Sequence, residues 1–321
     1  MRILVTGGAG FIGSHLCERL ILDGHQVIVL DDLSTGRDIN LAKLRYSEDF
    51  TFVEGSILDR AILESLAKDV DYIFHLAAAV GVFNIVNNPL ASLLTNIRGT
   101  ENVLELAIAS NIPFLLTSSS EVYGKNVSDS LRESDDRILG SPVTLRWSYS
   151  EAKAIDESLT YAYFIEKQLE TRIVRFFNTV GPRQLGAYGM VVPRFLKSAL
   201  NHEPLTIYGN GKQTRCFAHV YDVIEALLAI AFSKNTIGRV INIGNDFEIS
   251  INSLAKKIIA ETDSKSEIVY VPYAEAYGDG FEDMERRVPN IDLINKLVGW
   301  KPQRNLSTII RDMSMEMKNN F

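Results

Sequence analysis

Residues 2–13, RILVTGGAGFIG, decide the fold. A short apolar run ends at Gly7, glycine recurs at Gly10 and Gly13, and a helical pattern opens at Ser14. The three glycines answer three physical needs, namely a tight turn, a close backbone approach to a pyrophosphate, and tight packing of helix on strand. A helix that starts here directs free N–H groups and the positive end of its dipole at phosphate. The next apolar run, QVIVL, ends in Asp31, about 20 residues on, where a carboxylate accepts from a ribose 2′-hydroxyl and repels a 2′-phosphate. Strand, glycine turn, helix, strand and acid in this order predict a dinucleotide site that prefers NAD to NADP.

The pattern continues outward from that unit. QVIVLD, FTFVEG, YIFHLAA, FLLTSS and RIVRFF are apolar throughout, as strands covered on both faces are, and helical stretches such as SHLCERLILDG and GTENVLELAIASN separate them. The alternation predicts an α/β fold with a doubly wound parallel sheet. After Asn178 the rhythm breaks into a loop, a helix over VVPRFLKSALN and a strand and turn in PLTIYGNGKQTRCF. VYDVIEALLAIAF and VINIGN then resume the first pattern. Two interleaved domains are expected: 1–178 plus about 217–245, and a smaller mixed α/β substrate domain from about 179–216 plus 246–321.

Of the 321 residues 46% are apolar and 23% charged, enough for a well-buried core. A net charge of −7 argues against a nucleic-acid or anionic-membrane surface. Cys17 and Cys216, far apart, make neither a disulfide framework nor a metal site. With no secretory signal pattern and no long apolar run, the chain is expected in the cytoplasm, without a metal.

Tyr149-x-x-x-Lys153 places a phenol and an ammonium one helical turn apart. A cation beside a phenol favours the phenolate, so Tyr149 is expected to act as a base near neutral pH. Tyr163/Lys167 and Tyr208/Lys212 share the spacing, so spacing alone does not choose. Ser118, Ser119 and Ser120, in TSSSEVYG, follow the apolar strand FLL, at the end where α/β folds keep their chemistry, and single out the first pair.

TGGAGFIG, DDLSTG, HLAA, SSSEVYG, YSEAK and FNTVGPR together resemble the extended short-chain dehydrogenase/reductase family, in its nucleotide-sugar epimerase/dehydratase branch, over nearly the whole chain. The resemblance implies a Rossmann-type sheet and a tightly held NAD bound by Gly7, Gly10, Phe11, Ile12, Gly13, Asp31, Ser56, Ile57 and Ala77 together with Tyr149 and Lys153. Ser56-Ile57 departs from the Asp-aliphatic pair with which many relatives hold adenine. It further implies that Tyr149, with Lys153 and Ser119, takes the C4 hydroxyl proton of a nucleotide-linked sugar while NAD takes the C4 hydride. A homodimer is implied through helices beginning near Pro89 and Tyr149, with Leu159, Tyr163 and Phe164 as surplus apolar positions.

The same resemblance places the substrate diphosphate against Asn178, Arg215 and Arg287, with Val192 nearby and Tyr208 lining a base pocket, UDP being the usual nucleotide. For Arg286-Arg287 the plain alternative is a solvated charge run. Ser119-Ser120-Glu121 resembles UDP-glucuronate decarboxylases, and RWSYSEAK, TRCF and YGDGFEDMERRVP point the same way. Decarboxylation through a 4-keto sugar, with Glu121 managing the later proton transfers, is the first expectation. The apolar Ala79–Phe83 stretch, which offers nothing to hold a carboxylate, keeps UDP-sugar 4-epimerisation open. Dehydration follows, and a non-catalytic NAD-binding sensor is the remotest alternative.

Overall fold

A computed structural model describes residues 1–80, 87–186, 190–272, 275 and 284–319. In chain order the first half runs β1 (Arg2–Thr6), α1 (Phe11–Leu22), β2 (Gln26–Asp31), β3 (Phe50–Glu54), α2 (Arg60–Leu66), β4 (Tyr72–His75), α3 (Pro89–Ala109), β5 (Phe114–Ser119), α4 (Ser148–Lys167) and β6 (Thr171–Phe176). There follow β7 (Thr179–Val180), α5 (Val191–Leu200), β8 (Leu205–Tyr208), β9 (Thr214–Cys216), β10 (Ala218–His219) and α6 (Val220–Ala231). The chain closes with β11 (Val240–Ile243), β12 (Glu248–Ser250), α7 (Ile251–Glu261), β13 (Ile268–Val271), α8 (Asp292–Val298) and α9 (Leu306–Asn319).

Seven parallel strands form the central sheet in the order β11-β6-β5-β4-β1-β2-β3. The chain moves outward from β1 to β3, then returns to the other side of β1 with β4, so the order reverses between β1 and β4. A crevice opens at the carboxyl ends of the strands at such a reversal, and ligands bind there. Because side chains alternate along a strand, β1 divides its apolar residues between the two faces. Ile3 and Val5 join the core under α1 and α6, whereas Leu4 joins the core under α2 and α3.

A further apolar cluster draws Phe195 and Leu196 from α5, Leu254 and Ile258 from α7, and Ile309 and Ile310 from α9. It is supported by the short pairings β8–β13 and β9–β12. Ile294 of α8 and Trp300 pack into the α1–α6 core instead, and the Trp300 indole donates to the Asp222 carbonyl at 3.0 Å. No described helix is long and apolar enough to cross a membrane.

Candidate active site

The glycine turn after β1 is built by contact as much as by conformation. Gly7 has φ +75°, and a Cβ there would lie 2.6 Å from the Ala77 nitrogen. A Cβ on Gly13 would lie 2.2 Å from the Gly7 carbonyl oxygen, so α1 could not approach β1 with any side chain at that position. No side chain caps α1 at Gly10. Its first N–H groups are left for an anion, with Phe11 and Ile12 lining the same cavity.

Asp31 closes β2 and is nearly buried. One carboxylate oxygen accepts from the Ala9 N–H and the other from the Leu33 N–H, both at 2.9 Å. Burial pushes this carboxyl up, and the two backbone donors oppose it. The Ala9 carbonyl accepts in turn from the Arg37 N–H and the Asn40 amide, so the loop that presents Asp31 is clamped from both sides. A carboxylate has room for further donors such as ribose hydroxyls. Ile57 and Ala77 line the cavity, but Ser56 does not. The Ser56 hydroxyl accepts from the Leu58 N–H at 3.3 Å.

The cavity, about 680 Å³, runs from this turn past the ends of β5 and α4 to β8 and β9. At its middle lie Ser119, Glu121, Tyr149 and Lys153. Ser119 ends β5, its hydroxyl accepts from the Glu121 N–H at 3.2 Å, and its side chain is hydrogen-bonded to Tyr149. The Ser150 hydroxyl donates to the Glu121 carbonyl at 2.8 Å and ties the start of α4 to the turn after β5. Ser118 is structural: it donates to Glu157, which pairs with Arg175 at 2.7 Å. Among the three Tyr–Lys pairs, Tyr149/Lys153 alone joins a strand-end serine. Tyr163 instead bonds Glu105, and Tyr208 lies under the Arg194 guanidinium at 4.5 Å.

The Lys153 ammonium lies 3.2 Å from the Asp156 carboxylate, with both side chains at most 2% exposed. Burial raises the Tyr149 phenol, Glu121 and Asp156 raise it further, and only the Ser119 hydrogen bond opposes them. The protein alone therefore does not make Tyr149 acidic. Burial would raise the Glu121 carboxyl, but Arg287 and Arg146 prevail and hold it at about 2. Both guanidiniums donate to it at 2.7 Å.

Asn178, Val192, Tyr208, Arg215 and Arg287 all line the cavity. The Asn178 amide donates to the Cys216 carbonyl and Arg215 to the Thr214 carbonyl. Arg287 is buried against Glu121 and Ser120, so it belongs to the catalytic end and is no solvated charge. Arg286 is the exposed partner, paired with Glu248. Of the apolar stretch, Ala79 and Val80 line the cavity, and residues 81–83 lie outside the described residues. So does most of YGDGFEDMERRVP. Sequence reasoning missed Arg146, three residues before Tyr149, which stacks on the buried Trp147 ring at 5.3 Å. Its signal was present in RWSYSEAK. Among the described residues no His, Cys, Asp and Glu side chains gather as a metal site.

Residues 3–244 match the family model described as the NAD dependent epimerase/dehydratase family. The chain belongs to that family. It is 40% identical to UDP-N-acetyl-alpha-D-glucosaminuronate decarboxylase of Bacillus cytotoxicus, over 94% of this chain and 92% of that protein. It is 38% identical to UDP-glucuronic acid decarboxylase 1 of Xenopus tropicalis, over 94% of this chain and 68% of that protein. Among solved structures it resembles UDP-glucuronic acid 4-epimerase from Bacillus cereus, in complex with UDP-glucuronic acid and NAD, with TM-score 0.88 and 29% identity over the full length of both chains. As a family member the chain is an NAD-dependent enzyme. The backbone approach at Gly7, the uncapped start of α1 and the acceptor Asp31 fit NAD.

Proposed function

We propose that this enzyme decarboxylates a UDP-linked hexuronate through a 4-keto sugar. The observation that carries the reading is the Arg146–Glu121–Arg287 cluster beside Tyr149. Two guanidiniums meet one carboxylate there, at a largely buried point of the cavity. A planar guanidinium suits a substrate carboxylate. This supplies what the apolar residues Ala79 and Val80 lack.

In this reading Tyr149 removes the C4 hydroxyl proton with Ser119 sharing the hydrogen bond, and Lys153 orients the pair. NAD, when bound by the Gly7–Gly13 turn and Asp31, supplies the hydride acceptor for C4. Oxidation places a ketone β to the C6 carboxylate, so carbon dioxide leaves with the C5–C6 bonding pair passing into an enolate. Glu121 stays ionised and pins the two arginines. At the other end Tyr208 faces the nucleobase, while Asn178 and Arg215 face the diphosphate.

A second reading is C4 epimerisation of a UDP-sugar of the UDP-glucose or UDP-glucuronate type, the first favoured by the apolar pair Ala79-Val80 and the second by the likeness to a UDP-glucuronic acid 4-epimerase. One experiment separates the two. Enzyme and NAD are incubated with UDP-glucuronate, UDP-N-acetylglucosaminuronate and UDP-glucose, and products are followed by mass spectrometry and NMR. Loss of the mass of carbon dioxide from a uronate supports decarboxylation. Unchanged mass with an inverted C4 signal replaces it with epimerisation. Turnover of UDP-glucose alone overturns the uronate class.

A further inference from the structure

Lys153 and Asp156 stand three residues apart on α4, and neither reaches solvent. A buried acid beside the lysine of a Tyr–Lys pair is costly unless it is held, since two desolvated charges need geometry and further hydrogen bonds to offset their lost hydration. The fold supplies them in part, since Asp156 Oδ1 is buried with no hydrogen-bond partner among the described residues. The Thr100 hydroxyl of α3 is hydrogen-bonded to Asp156. Thr100 lies 3.2 Å from His75 Nε2 on β4, and His75 Nδ1 lies 2.7 Å from the Thr6 hydroxyl at the end of β1. Thr6 in turn accepts from the Ala77 N–H beside the glycine turn. A continuous polar chain thus links the cofactor loop, two core strands and α3 to the ammonium of Lys153.

We propose that Asp156 is a positioning residue for the Tyr149–Lys153 pair, holding the Lys153 ammonium in place and, by partly neutralising it, setting the pH at which Tyr149 exchanges its proton. The inference rests on the reading above that Tyr149 is the acid–base group. The remaining charges around the pair are already committed. His75 is neutral, since burial and then Lys153 hold it at about 3. Glu157, on the same helix, is taken by Arg175 of β6 and by Ser118. Glu121, on the turn after β5, is taken by Arg146 and Arg287. Among the described residues Asp156 is the acid paired with Lys153; burial pushes its carboxyl up while Lys153 and Thr100 oppose this, and its charge, when ionised, raises the proton affinity of Tyr149 in the same sense as Glu121 does.

The test is the pH dependence of kcat/KM for the NAD-loaded enzyme with Asp156→Asn, alongside an ultraviolet phenolate titration of each protein against its Tyr149→Phe counterpart. Removing the negative charge leaves Lys153 unscreened toward Tyr149. The acid limb of the profile and the Tyr149 titration should both move about one pH unit lower. Asp156→Glu should restore the wild-type profile. If Asp156→Asn fails to fold, Asp156→Ala serves for the same two titrations. A profile and a phenolate titration that stay at their wild-type positions overturn the inference, even if turnover or stability falls. If Tyr149→Phe itself keeps wild-type turnover, the acid–base reading fails first, and this outcome is distinct from an inactive Tyr149→Phe paired with an unshifted Asp156→Asn.

Discussion

Arg287 donates from Nη2 to the Glu121 carboxylate at 2.7 Å, with 7% of the arginine and 17% of the glutamate side chain exposed. Arg146 meets the second oxygen at the same distance, so the carboxylate is held between two guanidiniums. Its pKa falls from the ordinary 4.5 to about 2. A carboxyl lowered on folding contributes stability above its unfolded pKa and loses it as pH falls through the folded one. Here the loss spans about 4.5 down to about 2 and amounts to about 3 kcal/mol. Urea unfolding of wild type and Glu121→Gln between pH 6 and pH 3 checks this. Wild type should be the more stable at pH 6, with the gap mostly closed at pH 3. A constant gap would contradict an ionised Glu121.

Tyr149→Phe should leave folding and NAD binding intact and reduce kcat by about 10²–10⁴, the usual contribution of a positioned acid–base group. Tyr163→Phe should leave the chemical step unchanged, because that hydroxyl bonds Glu105 on the helix surface. Single-turnover rates of hydride transfer for both variants decide the matter. A silent Tyr149→Phe would assign the chemistry to another group.

The sheet was legible because its strands carry apolar residues on both faces: Ile3 and Val5 serve one core, Leu4 the other. The glycine turn was legible because only glycine satisfies the contacts at Gly7 and Gly13. Charge pairing across the fold was not. Lys153 and Asp156 have the spacing of an ordinary solvated helix pair, and nothing in YSEAKAIDES announces that α3 and β4 bury them. The same holds for Arg287, whose partner Glu121 is remote in sequence.

Asp31 should set cofactor choice. Wild type should bind NAD far more tightly than NADP in a fluorescence titration, because a 2′-phosphate would meet a buried carboxylate. Asp31→Asn keeps an acceptor for one of the two backbone donors and removes the charge. NAD affinity should fall about 10-fold or more, given about 1.5–3 kcal/mol for a hydrogen bond to a charged group. NADP affinity should rise relative to it. Equal wild-type affinities for the two cofactors would refute the role.

The exposed face of α4 yields the last prediction. Leu159 and Tyr163, expected from sequence to be surplus, pack against the α2–α3 core, and Phe164 sits on Gly238, where a Cβ would lie 2.4 Å from the ring. The apolar side chains left outward are Ile155, Tyr161 and Ile165, exposed by 42%, 49% and 57%. Three such residues on one helix form a stripe that water solvates poorly, and a second copy of the same helix related by a two-fold axis would cover it. We therefore expect a homodimer through α4, with α3 alongside. Light scattering at micromolar concentration should give twice the chain mass for wild type. Ile165→Glu should shift it to the monomer, since a charge buried at such an interface has no partner on this face. Tyr149 and Lys153 lie at the other end of α4, so the monomeric variant should still bind NAD. A wild-type protein that is monomeric at these concentrations would overturn the dimer. A dimer unaffected by Ile165→Glu would move the interface elsewhere.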